Sequence, residues 1–129
     1  MAITNIVSVS SIYAGNAAWA LTTTLDATLF TAAADVTVKI NSITATNTHA
    51  STVTNLTLDI NGIGTTVTGV TGTSLATVAK LAQAVNIPGK DTYVVIDSPI
   101  YLMENDILRG GTTGTSCDLF ISFEVINDA

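Results

Sequence analysis

The sequence predicts an all-β chain, an antiparallel β-sandwich of jelly-roll type with about eight strands. Three observations carry this. Of 129 residues, 23 are Thr, 13 are Ile and 12 are Val, and β-branched side chains favour strands over helices. Apolar residues alternate with polar ones in short stretches, the period of a half-buried strand. Turn-forming residues separate these stretches about every 8–12 positions, as in sandwiches and barrels.

The elements follow in chain order. Residues 1–24 carry no charged side chain, and Ile3, Ile6, Val7, Val9, Ile12, Tyr13 and Trp19 are scattered there among small polar residues. They form either the first strand or an arm lying on a neighbouring subunit, because so apolar a terminus would not stay free in water. Residues 25–129 form the sandwich domain. Thr28-Leu29-Phe30 is a short strand. Val36, Val38 and Ile40 alternate with Thr37 and Lys39 before the apolar phase slips to Ile43 and Ala45. A slip of one residue flips later side chains to the other face, so a bulge is expected at Asn41-Ser42. Residues 46–52 lack a large apolar group and read as a loop. Leu56, Leu58 and Ile60 alternate cleanly into Asn61-Gly62, a dipeptide suited to a tight hairpin returning through 65–70.

Residues 71–85 fit a helix capped by Ser74 or a strand. The strand is preferred, because the neighbours are strands and no acidic residue supports a helix start. After the Ile87-Pro88-Gly89-Lys90 turn, Tyr93-Val94-Val95-Ile96 suits a strand buried on both faces. Ser98-Pro99 interrupts it, and Ile100-Tyr101-Leu102 resumes. Glu104-Asn105-Asp106 turns into Ile107-Leu108, residues 110–114 read as a flexible Gly-rich loop, and Leu119, Ile121, Phe123 and Val125 end the chain with its longest alternation.

Composition bounds function. Charged residues make up 11% of the chain, against about 25% in an average soluble domain. The formal net charge is −6. No basic patch exists to neutralise phosphates, so nucleic acid is not an expected partner, and an anionic membrane surface would repel the chain. A monomer of this mass exposes on the order of 6,000–6,500 Å². With so few charges, much of that surface is neutral or apolar, which marks contact surface. The seven apolar residues of 1–24 named above are the interface candidates. Neither a signal peptide nor a membrane-spanning helix is expected, since no positive stretch precedes an apolar one at residues 1–5 and no apolar run reaches 18 residues. The expected place of synthesis is a host cytoplasm.

Sites for chemistry are scarce. Nucleophilic hydrolysis needs a base and an orienting group together, and His49 is the single histidine, in a Thr/Ser/Asn stretch. Cys117 is the single cysteine, so no internal disulfide forms. It reads as a small buried hydrophobe. Asp59-Ile60-Asn61-Gly62 lacks the later carboxylate of a calcium loop. Glu104 and Asp106 could form an acid/base pair only in a pocket that separates their pKa values, and read better as turn residues. Gly62-x-Gly64 lacks the rest of a dinucleotide fingerprint. Trp19 and the three Tyr are spread along the chain, unlike a sugar-binding platform. No catalytic, cofactor or metal residue is expected, and the chain is not expected to be an enzyme.

Over about 100 residues the order of motifs resembles the small β-sandwich virion proteins of tailed bacteriophages. The matching segments are Leu29-Phe30-Thr31, the alternating strand running into Asn47, Leu56 to Gly62, and Val94 through Asp97-Ser98-Pro99-Ile100. Asn105 to Leu108 and the closing strand from Leu119 to Ile126 complete the pattern. Residues 1–24 have no counterpart in it, and 64–85 are longer and richer in Ala. The resemblance implies a capsid decoration or cement protein. Its partners would be the major capsid protein and sibling copies, as a trimer, and its place the virion. A tail- or baseplate-associated component and a carbohydrate-binding jelly roll are the alternatives.

Overall fold

The computed structural model describes residues 10–62 and 78–127. Among them are nine strands and no helix. They are β1 (Ser11–Ala20), β2 (Thr28–Thr31), β3 (Val36–Asn47), β4 (Thr54–Asn61), β5 (Val78–Ile87), β6 (Thr92–Ile96), β7 (Ile100–Leu102), β8 (Ile107–Thr112) and β9 (Cys117–Asn127). Every pairing is antiparallel. A five-stranded sheet runs β1-β9-β3-β6, with β7 also on β3, and a four-stranded sheet runs β2-β8-β4-β5.

The two sheets pack face to face over one apolar core, as a β-sandwich does. Val38, Ile40, Ile43, Leu119 and Ile121 come from the first sheet, and Leu56, Leu58 and Leu108 from the second, all at most 2% exposed. The phase slip in β3 is real. Its register against β9 shifts between Ile40 and Ser42, so Asn41 is the extra residue that keeps Ile43 and Ala45 in the core. Pro99, which cannot donate to a ladder, divides β6 from β7, and both lie along β3.

Four expectations need correction. Tyr93–Ile96 is not buried on both faces. It lies in edge strand β6, and Val94 is 52% exposed. Asn61-Gly62 does not open a two-residue hairpin, although Gly62 has the left-handed φ of 94° that such a turn needs. Both edges of β4 are filled, by β8 and by β5, and Asn61 faces Val78. The expected return strand at 65–70 lies outside the described residues, as do 71–77. Gly110 and Gly111 are buried in β8, not in a loop. A side chain on Gly110 would collide with Leu58 and the Thr57 carbonyl, and one on Gly111 with the carbonyls of Thr22 and Thr24.

The fourth correction concerns 46–52. Thr46 and Asn47 belong to β3, and Asn47 is fully buried. Its Nδ2 donates to the carbonyls of Thr52 (2.8 Å) and Ile87 (2.9 Å). Its Oδ1 accepts from the His49 N–H (3.0 Å) and the Ser116 hydroxyl (3.2 Å). One amide thus satisfies three loop or strand ends at one pole of the sandwich, as a buried polar group must.

Candidate interaction surface

Residues directly opposite each other in an antiparallel pair share a face. In β9, Leu119 and Ile121 point into the core, so Asp118, Phe120, Ser122 and Glu124 point outward. The register then places Ala18, Phe120, Thr44 and Val94 in one row across β1, β9, β3 and β6. Asn16, Ser122 and Ser42 form the next row, and Ala14, Glu124, Lys39 and Tyr101 the one beyond. Phe120, Val94 and Tyr101 are 43%, 52% and 50% exposed. The charges on this face are Asp118 at one side and the Lys39–Glu124 pair, 3.9 Å apart, at the other. Between them lies a surface of methyl, hydroxyl and aromatic groups. Thr46 and Thr92 tie β3 to β6 by a hydroxyl hydrogen bond of 2.9 Å.

The interface candidates from the sequence divide. Ile12 and Tyr13 lie on β1 and are 59% and 61% exposed. Trp19 is half-buried against the core, with its ring edge-on to Phe30 at 6.2 Å. Phe30 in turn meets Phe123 at 5.0 Å. Ile3, Ile6, Val7 and Val9 lie outside the described residues.

The opposite outer face, on the four-stranded sheet, is organised by a group that sequence reasoning missed. Asp59 points outward from β4, yet its side chain is 2% exposed. It accepts from Arg109 Nε at 2.8 Å and Nη2 at 3.1 Å, a bidentate pair, and from Lys80 Nζ at 3.0 Å. Burial alone would raise the carboxyl's pKa, but the hydrogen bonds and charges of Arg109 and Lys80 outweigh it and hold Asp59 below the usual aspartate value. The available signal was the outward row Thr57-Asp59-Asn61 in β4. Its two cations come from 21 and 50 positions away, so one strand alone did not reveal it.

Other candidates are dispersed. Asp106 is buried at the Met103–Asp106 turn, where its Oδ2 accepts the Met103 N–H at 2.9 Å and its Oδ1 has no hydrogen-bond partner. Burial raises its pKa, and the Met103 hydrogen bond offsets this in part. His49 Nδ1 accepts the N–H groups of Ser51 (3.1 Å) and Thr52 (3.0 Å), closing the 48–53 loop. Cys117 is buried, and burial with the nearby Asp118 charge pushes its thiol up to about 11, where it is a poor nucleophile. Among the described residues no three His, Cys, Asp or Glu side chains stand close enough to hold a metal ion. The chain matches no known family model, no curated protein and no solved structure.

Proposed function

We propose that this chain is a virion structural protein that decorates and stabilises a bacteriophage capsid, binding across major capsid protein subunits and against sibling copies, without catalysing a reaction. The observation that carries the reading is the outer face of the five-stranded sheet. Phe120 is exposed on interior strand β9, flanked by Ala18 and Thr44, and Val94 is exposed in the same row on edge strand β6, with the charges confined to either end of the face. Exposed neutral area of this kind suits a contact surface. The whole chain supports this. Its accessible surface is 6852 Å², so fourteen charged side chains are spread at about one per 490 Å², roughly half the usual density. The strand order also supports a jelly-roll winding, in which consecutive strands mostly change sheets, and it fits the motif order that resembles phage virion proteins.

The test is a copy count by quantitative mass spectrometry of purified particles, against their major capsid protein. Copies on the scale of the capsid protein support decoration. A few copies per particle would move the chain to the tail, and absence from particles would overturn the reading.

A further inference from the structure

The four sheet edges are not alike. A strand edge presents unpaired N–H and C=O groups that invite another strand, and proteins blunt such edges with short length, bulges, charge or proline. Edge strand β2 has four residues and an irregular register against β8. On the other side of that sheet, β5 carries Lys80, two register irregularities against β4 and a left-handed Ala84 at φ 50°. β6 and β7 are five and three residues long, broken by Pro99 and flanked by Asp91 and Asp97. β1 has none of these devices. It runs ten residues, Ser11–Ala20, without charge, proline or register shift against β9, and among the described residues no strand pairs with its other edge.

We propose that β1 is a homotypic docking edge, on which β1 of a second copy pairs antiparallel about a two-fold axis, joining two five-stranded sheets into one. The phase of the ladder supports this. The Leu21 N–H donates to the Cys117 carbonyl at 2.9 Å. That pair continues the β1–β9 register, so odd residues bond to β9 and Ile12, Ala14, Asn16, Ala18 and Ala20 turn their N–H and C=O groups to the open edge. Pairing centred on Asn16 matches these groups in both copies. It sets Ala14 opposite Ala18 and Ile12 opposite Ala20 of the second copy, and Tyr13 opposite its Trp19. The exposed bulk at one end of the strand thereby meets small or half-buried residues at the other end. A second copy is favoured as occupant because the strand is its own complement in this register. It is also neutral in a chain of net charge −6, so two copies meet there without opposed like charges. This inference is independent of the capsid reading.

Sedimentation equilibrium of the purified full chain tests it. A dimer is expected. Ala14→Pro removes an outward N–H while leaving the β9 ladder, and Asn16→Lys opposes two ammonium groups across the axis. Each is expected to raise the dimer dissociation constant at least about tenfold, with the β-type circular dichroism kept. Should Ala14→Pro fail to fold, Asn16→Lys alone decides. Under oxidant, Asn16→Cys is expected to cross-link two copies, and Ala20→Cys is not, because its neighbour is Ile12. A monomeric chain, or an oligomer (a trimer included) indifferent to Asn16→Lys, overturns the proposal. Absence from particles would overturn only the decoration reading and leave this one standing.

Discussion

On the four-stranded sheet, the outward side of β4 and β8 buries a carboxylate and answers it with two cations from the same chain. On the five-stranded sheet, the outward side of β9 and β3 leaves Phe120 and its neighbours exposed and answers them with nothing charged between Asp118 and the Lys39–Glu124 pair. On the first face the buried charge is answered within one molecule, since Asp59 has its charge and both its oxygens satisfied. The second keeps apolar area in water. Polar residues on an outer face therefore do not mark it as a binding surface. What separates the two faces is whether their chemistry is satisfied inside the molecule.

The comparison can be broken by mutation. The largest effect is expected at the satisfied face. Arg109→Leu leaves Asp59 buried with only Lys80, and should destabilise the fold by about 3 kcal/mol in urea titrations. Lys39→Ala, at the exposed and loosely paired Lys39–Glu124 site, should shift stability by less than about 0.5 kcal/mol. Equal effects at the two sites would erase the distinction.

Acid should act through the same group. Asp59 has a depressed pKa in the fold, so its contribution is full above the unfolded aspartate value and is lost as pH falls through the depressed one. Asp106 is shifted the other way. Its contribution is full below the unfolded value and is lost as pH rises through the raised one. Melting temperature should therefore rise slightly on mild acidification and fall in stronger acid. Arg109→Leu should reduce the second phase and Asp106→Asn should remove the first. At neutral pH, Asp106→Asn should also stabilise by up to about 1 kcal/mol, because the carboxylate oxygen without a partner is no longer a buried charge.

On the neutral face the stability effect is expected to be small and the effect on attachment larger. Phe120→Ser should cost less than about 1 kcal/mol in the isolated chain, since the ring is already partly in water. On particles, the same change should lower occupancy several-fold. A large stability loss with unchanged occupancy would make Phe120 a folding residue and nothing more.

Much of the fold was legible in the sequence because strand periodicity is local. Leu56-Leu58-Ile60, Leu119-Ile121 and the slip at Asn41-Ser42 all fall where alternation alone placed them. What escaped the sequence is decided across strands. Gly110 and Gly111 resemble a loop until the carbonyls of Thr22, Thr24 and Thr57 are seen to occupy the space a side chain would need. Asn47 resembles a loop residue until its amide is seen joining Thr52, Ile87, His49 and Ser116. Val94 read as core because a run of apolar residues cannot show which strand lies at an edge. For the interaction surface, composition pointed to the N-terminal apolar residues, whereas the exposed row of Phe120 and Val94 emerged only when β9, β3 and β6 were laid side by side.

Hydroxyl-radical footprinting of the free chain and of purified particles carrying it bears most directly on whether other chains cover the neutral face. Oxidation of Phe120 and Tyr101 should fall several-fold in particles, while Leu25 and Val53, exposed away from that face, should change little. Equal oxidation of Phe120 and Tyr101 in both states would contradict the account.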